Sequence, residues 1–112
     1  NPVNNDIINV AFDADNGKLY IGINGTYYNQ AGTEGNPATD SNPTFSSIDT
    51  SFFWLPWIES RGDNQQALMN FGGGTSYSIS SGNADGEGFG NFEYAVPSGY
   101  FALCTKNLAE YG

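Results

Sequence analysis

Two alternating runs joined by turn chemistry constrain this chain more than any other feature. Ile8, Val10 and Phe12 alternate with Asn9, Ala11 and Asp13, the period-2 mark of a half-buried strand. Asp13-Ala14-Asp15-Asn16-Gly17 follows, where Asn16 or Gly17 suits a left-handed backbone. Leu19, Ile21 and Ile23 alternate in turn, and Asn24-Gly25 is a strong two-residue hairpin signal before Thr26-Tyr27-Tyr28. The pattern predicts a three-strand meander. Fifteen glycines and few helix formers argue against a helical bundle, so the expected class is all-β.

The rest of the chain supplies further strands and two long connections. Residues 30–44 are polar and aperiodic, which predicts a binding loop or a mobile excursion. Phe52, Phe53, Trp54, Leu55, Trp57 and Ile58 surround Pro56, which cannot donate to a ladder. A strand here must lie at an edge, start late or carry a bulge. Residues 67–71 read as the returning strand, and the Gly/Ser-rich stretch 72–90 as a surface loop. Phe92–Val96 and Tyr100–Cys104 read as closing strands around Pro97-Ser98-Gly99. No linker divides the 112 residues, which form a single domain. The expected core is Ile8 or Val10, Phe12, Leu19, Ile21, Ile23, Leu68, Phe71, Leu103 and Cys104.

Charge excludes one class of partner. Twelve acidic residues oppose three basic ones, for a net charge of −9, and Lys18, Arg61 and Lys106 are too scattered to form a basic patch. Such a surface repels phosphate backbones, so nucleic acid is not an expected partner. The charge reads first as solubility in a salty medium. Cys104 is the only cysteine, so no intrachain disulfide exists, and without a histidine it reads as a small inert core residue. No apolar run reaches the roughly 18 residues of a membrane-spanning helix, and no membrane contact is expected. Residues 1–6 lack the basic and apolar regions of a signal peptide, and the chain is expected to be the C-terminal part of a longer polypeptide.

Several motifs in order resemble a known family. Phe12-Asp13, Gly17, Leu19, Ile21 and Asn24-Gly25 match a hairpin of SPRY-type domains. Gly35-Asn36-Pro37, Asn42-Pro43-Thr44-Phe45, Pro56, Asn70-Phe71-Gly72 and Pro97-x-Gly99-x-x-Ala102-Leu103-Cys104-Thr105 look like the variety found in phage and bacterial virion and tail-fibre proteins. The resemblance covers nearly the whole chain and implies an antiparallel β-sandwich of the SPRY or concanavalin-like jelly-roll type. Two departures stand out. The chain begins where the family is already halfway through its sandwich, and the insertion 73–90 is longer than usual. The sandwich is therefore expected to be completed by upstream residues or by neighbouring subunits.

Catalytic constellations are poor. A concanavalin-like glycosidase needs two carboxylates held about 5–9 Å apart across the scissile bond. The nearest candidates are Asp13 with Asp15, or Glu93 beside Glu87. The first pair sits in a turn, where Asp commonly bonds backbone, and Glu87 sits in a loop. Asp13-x-Asp15-Asn16-Gly17 also resembles the opening of a calcium loop, but the position calling for a bidentate Glu is Asn24. No cofactor is expected, with calcium at Asp13 and Asp15 the weaker alternative. Asn24-Gly25-Thr26 fits a glycosylation acceptor and Arg61-Gly62-Asp63 an integrin-type tripeptide; both read more simply as turns.

What remains is binding. Trp54, Trp57, Tyr27, Tyr28 and Tyr77 are the rings that could face a ligand, with Asn29 and Asp40 as polar partners for sugar hydroxyls. Adjacent strand residues point to opposite faces, so some of these rings fill a core instead. The resemblance implies a non-enzymatic module of an extracellular virion or fibre, for glycan or host-surface adhesion or for subunit assembly. A carbohydrate-active hydrolase is the alternative. Partners are then other virion or fibre subunits, including copies of the chain, and a cell-surface glycan. Residues 52–58 are the expected contact surface.

Overall fold

The computed structural model describes residues 2–59, 62, 66–73 and 78–111. Its regular structure is mostly strand: β1 (Ile8–Asp13), β2 (Lys18–Ile23), β3 (Thr26–Tyr28) and β4 (Glu34–Gly35) form one antiparallel sheet in that order. A 3-10 turn (Pro37–Thr39) follows β4, and among the described residues one α-helix, α1 (Thr105–Tyr111), lies near the C-terminus. The three-strand meander expected from the alternation is present, extended by β4. A second sheet is not formed among the described residues.

Each connection is made by side chains suited to it. The Asp13 carboxylate accepts from the Asn16 backbone N–H at 3.0 Å and from its carboxamide at 2.8 Å, closing the first turn. Asn24 (φ 52°) and Gly25 (φ 87°) both occupy the left-handed region, as the tight β2–β3 hairpin requires. Asn29 folds the next turn, its carboxamide oxygen accepting from the Ala31 and Thr33 N–H groups. Residues 30–44 are thus organised rather than an excursion: Asn36 caps the 3-10 turn, and Asp40 ends it with φ 58°.

The register sorts the strands into two unlike faces. One carries Asn9, Ala11 and Asp13 against Gly22, Tyr20 and Lys18, continuing to Tyr27 and Gly35. The other carries the rungs Ile8–Ile23, Val10–Ile21 and Phe12–Leu19, continuing to Tyr28 and to Phe45, which bridges Leu19. The chain covers the first face. Tyr20 is fully buried there, edge-on to both Tyr27 and Tyr100 with ring centroids 6.4 Å apart, and the Tyr94 ring closes on Gly25.

Beyond residue 66 the chain is held by polar and glycine contacts instead of a ladder. Buried Asp85 accepts from the Glu87 and Phe89 N–H groups through one oxygen, and from the Ala102 N–H and the Asn107 carboxamide through the other. Asn107 also donates to the Ala102 carbonyl, so α1 is tied to the loop 85–89. Phe101 stacks on Tyr111 at 4.4 Å, and Lys106 Nζ sits 4.7 Å from the Phe89 ring centre. Asn70 holds Gly72 and Asn91 together.

The expected core is corrected by this arrangement. Among the described residues the buried apolar ones are Ala11, Tyr20 and Ala102. Ile8, Val10, Leu68, Phe71 and Leu103 are exposed, while Phe12, Leu19, Ile21, Ile23 and Cys104 are only half-buried. Alternation identifies an apolar face but not which face the chain itself will cover. Here Gly35 lets the backbone of residues 41–42 approach closely, where a Cβ would overlap the Asn42 carbonyl oxygen. The segments 52–58, 67–71, 92–96 and 100–104 are also not strands, apart from a single bridge between Asn83 and Phe92. Left-handed Gly72, Gly90 and Gly99 interrupt the extended backbone, and Pro56 and Pro97 offer no donor. Helix α1 was not foreseen at all.

Candidate functional site

The outer face of the sheet is apolar and partly exposed. Val10 is 63% exposed and Ile8 46%, and Tyr28 and Phe45 beside them also face solvent. Trp54 lies on Phe12 with ring centroids 6.2 Å apart and planes tilted by 58°, and its indole N–H donates to the Asp49 carbonyl at 2.9 Å. That contact sets residues 52–58 beside the Phe12 end of the face. Phe52, Phe53, Leu55, Trp57 and Ile58 are all exposed there, Trp57 by 82%. Contiguous apolar patches beyond a few hundred Å² are uncommon on soluble monomers.

The ring and polar residues singled out in the sequence do not converge. Trp54 and Tyr28 belong to the outer face, and Trp57 stands in solvent near it. Tyr27 points to the other side, where burial raises its phenol above the ordinary value. It lines a hollow of about 230 Å³ with Pro37, Ala38, Ala95 and Pro97, with Glu34 and Asn36 at its wall. Asn29 is occupied by its turn. Asp40 is bound to Lys18 and Tyr20; the Lys18 ammonium first, and the Tyr20 hydroxyl second, hold its carboxyl below the usual range. Tyr77, Arg61 and Asp63 lie outside the described residues.

The acidic candidates are likewise dispersed. Asp13 serves its turn and Asp15 is exposed beside it. Glu93 accepts from the Ser80 hydroxyl and backbone N–H, which lower its carboxyl. Asp85 binds the Glu87 backbone through its own carboxylate, and burial, which would raise its pKa, is outweighed by its four hydrogen bonds. Among the described residues no three cysteine or acidic side chains gather as a metal site.

Sequence reasoning found the apolar rungs but assigned them to the interior. It missed Asp85 and Asn107 as a buried polar pair, and nothing in their spacing of 22 residues signals it. Comparison with family models, with curated proteins and with solved structures gave no match.

Proposed function

We propose that the chain is a non-enzymatic, SPRY-like assembly module of an extracellular virion or fibre protein, acting through the outer face of its sheet. One observation carries this reading. The three rungs Ile8–Ile23, Val10–Ile21 and Phe12–Leu19 are wholly apolar, and the chain leaves Ile8 and Val10 exposed and the other four half-buried while burying Ala11 and Tyr20 on the opposite face. A second layer laid on these rungs would complete the sandwich that the order of the hairpin, Asn-Phe-Gly and Pro-x-Gly motifs implies. The scattered carboxylates support binding over turnover.

The test is a charge on the face. The isolated chain should take up the apolar dye ANS, and Val10→Asp should abolish most of that uptake without changing the near-UV circular dichroism. Turnover of a polysaccharide, lost on changing Asp13, Asp15 or Glu93, would overturn the reading in favour of a hydrolase. A second role, glycan adhesion at the open hollow beside Tyr27, would pair that aromatic ring with the polar Glu34 and Asn36 at its wall. Calorimetry with a monosaccharide panel and Tyr27→Ala tests that role; heat unaffected by the substitution would exclude the hollow.

A further inference from the structure

The sequence holds two Asn-Gly pairs, Asn16-Gly17 and Asn24-Gly25. Such a pair can lose its side-chain amide without an enzyme, because glycine has no Cβ to keep its backbone nitrogen from the asparagine carboxamide carbon. The attacking atom is the deprotonated glycine nitrogen, so the reaction needs a pair that solvent reaches. Asn36 and Asn42 each precede a proline, whose nitrogen has no proton to lose, and they are excluded on that ground.

The fold treats the two pairs differently. Gly17 is buried, its carbonyl accepts from the Ile48 N–H at 2.9 Å, and a methyl placed on it would overlap the Ile48 carbonyl oxygen. A buried nitrogen pinned against backbone neither meets base nor has room to turn. Asn24 and Gly25 are both exposed at the tip of the β2–β3 hairpin. The atoms nearest Gly25 belong to the Tyr94 ring, a side chain that is able to swing aside. Three hydrogen bonds restrain this pair. The Gly25 N–H donates to Asn9 Oδ1 at 2.8 Å, the Asn24 carboxamide oxygen accepts from the Ile7 N–H at 3.0 Å, and its nitrogen donates to Asp6 Oδ1 at 2.8 Å. All three are exposed, so water competes for both partners of each.

We propose that Asn24 is a site of spontaneous deamidation, and that the carboxylate it produces unfastens residues 3–7 from the hairpin. The Gly25 nitrogen bonds the Asn24 Cγ, the Cγ–Nδ2 bond breaks, and the Gly25 proton passes through solvent to the nitrogen that leaves as ammonia. Water then opens the cyclic imide, its oxygen joining one carbonyl carbon and a proton returning to the ring nitrogen. Opening at Cγ gives aspartate, and opening at the main-chain carbonyl gives isoaspartate. Nothing is oxidised or reduced. Either product has no hydrogen to donate to Asp6, and two carboxylates then stand where an amide and a carboxylate had paired. Asp6, whose other oxygen accepts from the Val3 N–H at 2.7 Å, loses its tie to the hairpin and carries that turn with it. Isoaspartate also lengthens the backbone of a two-residue hairpin whose register leaves no slack.

The test is to incubate the 112-residue chain at neutral and mildly alkaline pH, with and without urea, and to weigh its proteolytic peptides over time. In the folded chain the peptide holding Asn24 should convert from amide to acid, faster at higher pH, while the one holding Asn16 stays intact. In urea both should convert. Asn9→Ala, which frees the Gly25 N–H, should speed the folded-state conversion several-fold. Conversion of Asn16 before Asn24, or of neither in a period that converts both in urea, overturns the site. Asn24→Asp tests the consequence. In the native chain the Val3 N–H first, and the Asn24 carboxamide second, hold the Asp6 carboxyl below its ordinary value. In Asn24→Asp that carboxyl should titrate higher, and amide exchange at Ile7 and residue 24 should accelerate. Adding Asp6→Asn restores a donor opposite the new carboxylate and should slow the exchange again. An Asp6 titration and an exchange pattern untouched by Asn24→Asp overturn the unfastening.

Discussion

Tyr20 donates its hydroxyl to one oxygen of Asp40 at 3.1 Å, while Lys18, two residues before it on β2, occupies the other oxygen. A carboxylate at the end of the 3-10 turn thereby fastens the loop 30–44 to the centre of the sheet. Tyr20→Phe keeps the buried ring and removes this bond. It should cost about 0.5–1.5 kcal/mol, the net worth of a single hydrogen bond, in chemical unfolding. Asp40→Asn should destabilise the chain at neutral pH, and the difference from wild type should shrink on acidification. The sign follows from its carboxyl being held below the usual 3.8. Its contribution is complete above that value and is lost as the pH falls through the depressed folded-state value. Urea midpoints of both proteins between pH 7 and roughly pH 2 would show the two curves converge.

Alkali should act on the same tyrosine in the opposite direction. Burial first, and the Asp40 contact second, push the Tyr20 phenol from 10.0 up to about 12, and Tyr100 beside it is also raised. The fold favours the neutral phenol. Its stabilisation is full below pH 10.0 and fades as the pH climbs towards about 12. Phenolate absorbance should therefore rise in two stages. Tyr20 and Tyr100 ionise in the later stage, with loss of structure. A single transition involving all seven tyrosines would contradict the burial of Tyr20.

Gly17 joins the first hairpin to a distant segment. Its φ is 62°, its carbonyl accepts from the Ile48 N–H at 2.9 Å, and a methyl placed on it would overlap the Ile48 carbonyl oxygen. Gly17→Ala should therefore destabilise by more than the roughly 1 kcal/mol of left-handed strain alone. Gly32→Ala, where φ is 80° but the space is open, should show only the strain. Thermal unfolding of the two variants separates the clash from the conformational penalty.

The meander was legible because alternation and Asn-Gly chemistry are local signals. Val10 and Ile21 read correctly as members of alternating apolar runs in successive strands, and Asn24-Gly25 as the hairpin between β2 and β3. What covers a face is not local. Tyr20 sits in the polar half of the alternation, yet among the described residues it is the largest fully buried side chain, because Tyr100 and Asp40 reach it from far along the chain. The C-terminal strands failed for a related reason. Ala102 and Leu103 alternate like strand residues, but the Ala102 N–H donates to Asp85 instead of a ladder. A bond across 17 residues leaves no trace in periodicity.

Asp85 is the place to break the C-terminal half. It is 8% exposed, and its second oxygen is shared between the Ala102 N–H at 2.9 Å and the Asn107 carboxamide at 2.8 Å. Asp85→Ala leaves both donors buried near one another, although Asn107 retains its bond to the Ala102 carbonyl at 2.8 Å. An unsatisfied buried donor costs about 1–3 kcal/mol, so a loss in the upper part of that range is expected for the variant. Amide exchange at Ala102 should accelerate strongly. Exchange in β1 and β2 should change less, because Asp85 makes its bonds to residues 87–107. Equal acceleration in the meander and at Ala102 would mean that the two halves open as one unit. Asp85→Asn offers the finer comparison. Its carboxamide can still accept from Ala102, but it loses the charge that strengthens four hydrogen bonds at once. Its stability should fall between that of wild type and Asp85→Ala.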